Sequence, residues 1–290
     1  MTTKEKLLAL LEDSKGTFFS GEEIARTLQV SRAAVWKAVN ALREDGYTID
    51  AATNKGYRLS PDSDILSPQG IRRFLKPEYR DLDLTVLPTA PSTNALVREK
   101  ANQGRPSVCS QATCLTAAAA AAMCQAIEAV TGQQPGIKWV NDIFLHGKKV
   151  CGILTEAAVG LETGTLNYMV LGAGVNLYPP AEGFPEEIQS IAGSVLEHSC
   201  PEAKNRLVGE FLNRFWDFYS RPECRAYLED YRARSLAIGR NVTVLSAGRA
   251  VSAYAYGIDD DFRLLVRYEN GDTEALSYGE IRIQLDESAP

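Results

Sequence analysis

The first sixty residues change their hydrophobic period once, and that change leaves few folds open. Thr2-x-x-Glu5 and Ser20-x-x-Glu23 are capping-box patterns, each ahead of an apolar stripe at helical spacing. The first stripe is Leu7, Leu8 and Leu11; the second is Ile24, Ala25 and Leu28. Gln29-Val30 leaves room only for a turn, and Ser31 is a good N-cap for a third helix. There Val35, Val39 and Leu42 lie at i, i+4 and i+7, and Gly46 ends the helix. Tyr47–Asp50 and Tyr57–Leu59 are short β-prone runs around the turn Asn54-Lys55-Gly56. This order predicts a winged helix-turn-helix over 1–60, suited to DNA. Ala33, Lys37 and Asn40 point away from the buried stripe, at about 100° per residue. Trp36 lies on the flank, Arg32 at the N-terminal end and Lys55 at the hairpin tip. These six positions can reach base edges or phosphates. A helical docking module with solvated charges is the plainer alternative.

Charge permits that reading without requiring it. The chain has 290 residues and a net charge of −6, which argues against whole-surface nucleic-acid binding. Residues 1–60 hold 9 Lys/Arg against 8 Asp/Glu, so the acidic excess lies entirely in the remainder. Hydrophobic and charged fractions of 45% and 23% are those of an ordinary globular protein. No apolar run reaches the length of a membrane helix, and the Ala-rich stretch 117–122 is short. The N-terminus lacks the form of a signal peptide, so a cytoplasmic protein, not associated with membrane, is expected. The six cysteines form no CxxC pair and the two histidines stand apart; reduced thiols are expected and no metal site.

Beyond residue 60 the pattern is α+β. Residues 61–68 read as a polar, Pro-bounded linker. A short helix from Ser67-Pro68 and an alternating strand Leu82–Leu87 follow. Pro91-Ser92-Thr93-Asn94 opens a helix carrying Leu96, Val97 and Ala101, closed by Gly104; a second helix covers 115–131. Then come a strand at Gly136–Val140, a hairpin about His146-Gly147-Lys148, and a long apolar strand Thr165–Tyr178 entered through Thr163-Gly164. Helices against a mixed or largely antiparallel sheet are expected over 69–236. Two helices occupy 201–235, and the all-β tail, with its Asn270-Gly271 hairpin, suggests a small barrel over 237–290.

Several strings match one family. They are the winged-helix head, Ser92-Thr93-Asn94, Lys138-Trp139-Val140-Asn141-Asp142, Lys149-Val-Cys-Gly152-Ile-Leu-Thr-Glu156, Gly172-Ala-Gly174-Val-Asn176 and Gly279-Glu280-Ile281. Together they resemble the bifunctional biotin–protein ligases that double as biotin operon repressors, whose C-terminal domain is an SH3-like barrel. The resemblance implies biotin–[acetyl-CoA-carboxylase] ligase activity with biotin, ATP and Mg2+. Biotin is activated to biotinyl-5'-AMP and passed to a lysine of the biotin carboxyl carrier protein; the adenylate favours a dimer on operator DNA. By the same resemblance Ser92, Thr93 and Asn94 bind the ureido end of biotin. Lys138 acts catalytically at its carboxylate and the phosphate, and Asn141 and Asn176 contact the nucleotide or its magnesium.

The chain departs from the family in one interval. The family carries a Gly-Arg-Gly-Arg-x-Gly-Arg type loop after the Ser-Thr-Asn helix; this chain has only Arg105–Cys114 there, and Gln111 has no matching context. In the tail, Gln284 stands where the family often has Arg. Such a loop shields the reactive anhydride from water, and its arginines fit phosphate. Two readings follow: a ligase and repressor whose homodimer is weakened, or a catalytically impaired paralogue acting mainly as a DNA-binding regulator.

Overall fold

The computed structural model describes residues 1–101, 112–159, 166–221, 226–246, 249–277 and 280–283. Gly104, most of Arg105–Cys114 with Gln111, the Thr163-Gly164 turn, Gly279 and Gln284 lie outside them. The chain divides into two compact units, Met1–Leu87 with Ser199–Asn213, and Pro88–His198 with Arg214–Pro290.

In the first unit, helices α1 (Thr3–Asp13), α2 (Gly21–Leu28) and α3 (Arg32–Glu44) begin where the caps predict. Thr2 and Ser20 each accept from the backbone N–H three residues on, and Glu5 and Glu23 return the bond. These bonds hold the Glu23 carboxyl below its ordinary range. Ser31 caps α3 through the Ala34 N–H at 3.2 Å. Leu7, Leu11, Ile24, Val35, Val39 and Leu42 form the core, closed by Ile49 and Leu59 of the wing strands β1 (Ile49–Ala52) and β2 (Gly56–Leu59). Truncating such a leucine to alanine costs about 2–5 kcal/mol. Phe19 joins the wing through a single antiparallel bridge to Tyr57, at 2.9 and 2.8 Å. Gly56 is required there: its φ is +93°, and a Cβ would overlap the Phe19 backbone.

Residues 61–68, read from composition as a polar, Pro-bounded linker, are packed. Ser63, Asp64 and Ser67 are buried, and the segment is bound to the start of α7 (Ala203–Tyr219). Asp64 caps the Lys204 N–H at 3.0 Å, and Asn205 accepts from the Ser67 N–H while donating to the Ile65 carbonyl. Asn213 likewise spans Lys76 and Phe74, the exit of α4 (Pro68–Phe74). Between these asparagines sits Gly209, where a Cβ would meet Phe74 Cβ at 2.6 Å. Asn205, Gly209 and Asn213, at i, i+4 and i+8, therefore form the α7 face that seats α4. The strand expected at Leu82–Leu87 is absent: no described strand pairs with it, and an unpaired segment gains no ladder.

The second unit is built on a four-stranded antiparallel meander, β3 (Gly136–Lys138), β4 (Asp142–Leu145), β5 (Lys148–Val159) and β6 (Leu166–Val175). One face is covered by α6 (Ala112–Thr131), whose residues Ala117 to Ala122 are buried. Thr116 and Thr155 share a hydrogen bond of 2.7 Å across that contact. Contrary to the sequence expectation, Cys114–Thr131 is long and apolar enough to cross a membrane. Here that apolarity packs against the sheet and α8 (Ala226–Ala233) instead, since all-round hydrophobicity marks a core helix as readily as a spanning one. Cys124 and Cys151 are buried free thiols, and burial pushes Cys151 up to about 12.

The tail forms a five-stranded antiparallel sheet in the order β10-β9-β8-β7-β11: Thr273–Leu276, Leu264–Tyr268, Arg249–Ile258, Arg240–Ser246 and Glu280–Ile283. Val242, Val244, Ala253, Ala255, Leu264 and Val266 face inward. Phe262 stacks on Tyr227 of α8 at 5.7 Å and accepts at its carbonyl from the Trp139 indole N–H at 2.9 Å, fastening the tail to the central sheet.

Candidate functional site

The meander leaves its other face open. Register aligns Lys138, Asp142, Gly152 and Gly174 in one row across the four strands, and Leu154 with Gly172 in the next row along β5 and β6. Directly opposed residues share a face. Three of these positions are glycines, so the floor presents bare backbone where side chains would otherwise stand. Helix α5 (Thr93–Ala101) lies against β6. Floor and helix bound a cleft of about 520 Å³, lined by Ser92, Thr93, Asn94, Arg98, Leu154 and Glu156 among others. Its size is that of a small-molecule site.

Each polar group in the cleft has a local cause. Ser92 precedes α5 and accepts from the Ala95 N–H at 3.2 Å, leaving its hydroxyl proton to donate. Asn94, at the second position of α5, spans the gap to the sheet, and its amide Nδ2 donates to Glu156 Oε2 at 2.8 Å. It fits only because position 172 is glycine, where a Cβ would overlap Asn94 Oδ1. Arg98, one turn further along, donates to the other oxygen of Glu156 at 3.2 Å. Leu154 is 57% exposed, an apolar surface in the cleft wall.

The Lys138 row brings in the cations. The Lys138 side chain makes no ion pair or hydrogen bond among the described residues. Lys149 pairs with Asp142 at 2.6 Å, and its Nζ passes 3.3 Å from where a Gly152 Cβ would lie. The Lys149 ammonium therefore approaches the glycine floor, and Lys138 stands in the same row of the sheet. Asn141 and Asn176 are placed otherwise. Asn141 donates to the Ile153 carbonyl at 2.5 Å, and Asn176 to the Gly193 carbonyl at 3.0 Å, so both amide nitrogens brace backbone. Sequence reasoning did not single out Lys149, Glu156 and Arg98 as site residues. Lys149 and Glu156 are the two ends of the Lys149–Glu156 motif, whereas Arg98 carries no signal beyond lying four residues after Asn94.

On the N-terminal unit Arg32, Ala33, Trp36 and Lys37 are exposed along α3, and Asn40 is half-buried beside them. Trp36 is 58% exposed, too open for a core tryptophan. Lys55 is exposed at the tip of the wing. The helix face and the wing tip belong to one small domain, as major-groove readers require.

Comparison with known proteins agrees with this division. Residues 3–58 match the HTH domain family, 95–176 the biotin/lipoate A/B protein ligase family and 237–283 the biotin protein ligase C-terminal domain. The chain is 31% identical to the bifunctional ligase/repressor BirA of Bacillus spizizenii over 315 aligned positions, covering 93% of this chain and 95% of that protein. Since the chain has 290 residues, at least 25 of those positions face gaps in it. It is 35% identical to the biotin–[acetyl-CoA-carboxylase] ligase of Mycobacterium tuberculosis over 162 positions, 53% of this chain and 54% of that one. The crystal structure of biotin protein ligase from Aquifex aeolicus shares the fold, with a TM-score of 0.50 and 21% identity over 61% of this chain and 76% of that one. The ligase-and-repressor reading is thereby favoured over that of an impaired regulator. The chain belongs to the bifunctional biotin ligase/repressor family, with a helix-turn-helix repressor domain ahead of a biotin–[acetyl-CoA-carboxylase] ligase.

Proposed function

We propose that the cleft binds biotin, with its ureido end at Ser92, Thr93 and Asn94 and its carboxylate toward Lys138 and Lys149. The observation that carries this reading is the glycine floor, with Ser92, Thr93 and Asn94 lining the cleft beside it and the Lys149 ammonium next to Gly152. A flat bicyclic ring can lie directly on backbone, Leu154 offers apolar contact, and hydroxyl and amide groups meet the ring's polar edge. ATP binds beside the cations. A carboxylate oxygen of biotin forms a bond to the α-phosphorus as pyrophosphate leaves. A carrier lysine amine then attacks the acyl carbon, an amide forms, and AMP leaves with the bond electrons. Lys138 and Lys149 stabilise the negative charge that develops on the phosphate in both steps. Asn141 and Asn176 shape the strand ends on which the nucleotide rests. Magnesium arrives with ATP, held largely by phosphate oxygens.

The acceptor is the biotin carboxyl carrier protein of acetyl-CoA carboxylase, in the cytoplasm. Arg32, Ala33, Trp36, Lys37, Asn40 and Lys55 contact operator DNA, and the DNA-bound form is a homodimer. Lys138→Ala tests the ligase half. Biotin-dependent ATP–pyrophosphate exchange should fall by about a hundredfold, in line with loss of one group that stabilises developing charge. A non-hydrolysable adenylate analogue should bind more weakly by calorimetry. Equal affinity for mutant and parent would place Lys138 outside the site.

A further inference from the structure

We propose that Glu156 is a positioning residue: it sets which way the Asn94 amide faces and thereby makes the cleft select a ligand with an N–H donor. This rests on the cleft being the biotin site. An asparagine amide has a donor end and an acceptor end of nearly equal size, so shape alone does not orient it. Here the donor end meets a carboxylate at 2.8 Å. Turning the amide over would set Asn94 Oδ1 against Glu156 Oε2, two acceptors at hydrogen-bonding distance with no proton between them. A carboxylate, unlike a glutamine side chain, offers no donor to accommodate the turned form. The second Glu156 oxygen is engaged by Arg98 at 3.2 Å, so the carboxylate is held from both sides.

The rest of the geometry gives the orientation its consequence. Gly172 lacks the Cβ that would displace Asn94 Oδ1, so the amide oxygen sits on the cleft floor. Gly152, Leu154 and Glu156 alternate onto the same face of β5, which places the orienting carboxylate one residue pair beyond the Leu154–Gly172 row. The cleft thus offers an acceptor fixed before the ligand arrives, and a ligand N–H meets it without reorganisation. A cyclic urea supplies such an N–H. An analogue with that nitrogen methylated leaves the acceptor unmet, and a site built to bond a ligand N–H rejects it strongly.

The test uses the full chain, Glu156→Gln, Asn94→Ala and the double variant, with two readouts. The first needs no ligand: the side-chain amide protons of Asn94, observed by NMR, should exchange slowly in the parent and at least tenfold faster in Glu156→Gln. The second is calorimetric discrimination between biotin and N-methylated biotin, which should fall about tenfold in Glu156→Gln. In the Asn94→Ala background Glu156→Gln should add nothing, because its effect passes through the amide. An Asn94 signal unchanged by Glu156→Gln overturns the proposal whether or not biotin binds. A loss of discrimination that persists undiminished without Asn94 also overturns it, since Glu156 would then act directly. A protected Asn94 amide in a parent that binds no biotin would instead overturn the assignment of the cleft, leaving the amide geometry standing.

Discussion

The two surfaces proposed to bind DNA and biotin are assembled in opposite ways. The α3 face draws Arg32, Ala33, Trp36, Lys37 and Asn40 from nine consecutive residues, and a helix of any origin with that stripe would present them together. The cleft proposed for biotin draws on residues 92–98, 152–156 and 172–174, and exists only where register and helix packing bring them together. The first surface depends on what its side chains are. The second depends as much on side chains that are missing, since Gly152, Gly172 and Gly174 make the floor. A local surface should tolerate substitution beside it, whereas an assembled one should fail when a single methyl group intrudes.

The sharpest way to break the comparison is Gly172→Val. The new side chain displaces Asn94, and biotin transfer should fall by about a hundredfold or more, as for other misplacements of a positioned group. Operator affinity measured on the same protein without biotin should stay unchanged. Transfer at the parent rate would show that Asn94 is not held by the cleft floor.

The next effect comes from the short interval after α5. With no Gly-Arg-Gly-Arg segment to cover the adenylate, carrier biotinylation at saturating biotin and ATP should run about a hundredfold below that of a relative possessing the segment. Pyrophosphate should be released in excess of biotin transferred. One pyrophosphate per biotin at the relative's rate would show that other residues exclude water.

On the local surface, Lys37→Ala should weaken operator binding and lower the salt slope of log affinity by about one unit. Carrier biotinylation should not change. Equal affinity at every salt concentration would remove Lys37 from the interface.

The smallest effect concerns an ion-pair cluster that joins α1 to α4 in the same unit. Glu12 of α1 is buried against Arg73 and Lys15, with Glu202 on the same cations. Arg73 also pairs with Glu202. Burial raises the Glu12 carboxyl above its ordinary 4.5 despite the pull of Lys15 and Arg73. A folded-state value above the unfolded one contributes stability that is complete at low pH and is lost as pH rises through the folded value. The protection of α1 amides, taken relative to their intrinsic exchange rates at each pH, should therefore rise on acidification toward the carboxylate range. Glu12→Gln should reduce that dependence without affecting the cleft. An α1 whose exchange carries the same pH dependence in both proteins would mean that another group sets it.

Much of the N-terminal unit was legible in the linear chain, because capping boxes, stripes and a Gly turn are interactions between residues a few positions apart. Thr2, Ser20, Ser31 and Gly56 act where local rules put them. The hairpins at His146-Gly147 and Asn270-Gly271 were readable for the same reason. Leu82–Leu87 was misread because alternation describes a strand's faces but says nothing about whether a partner exists. The packing of the 61–68 segment is not legible because polar composition does not reveal that its groups are satisfied by Asn205 and Lys204, some 140 residues away. The apolar helix at Cys114–Thr131 escaped notice as a run because its alanines are only moderately hydrophobic singly.

By itself, then, the sequence determined the winged helix, the order of the three domain families and the presence of Ser92–Asn94 and Lys138 as chemistry-bearing groups, since each follows from short-range pattern or motif. Only the tertiary structure decided that Asn94 faces Glu156 above a bare Gly172, that Lys149 reaches the row of Lys138, and that Asn141 and Asn176 spend their amide donors on backbone. Those outcomes turn on strand register and on the approach of α5 to β6, and both are set by long-range packing that no local spacing encodes.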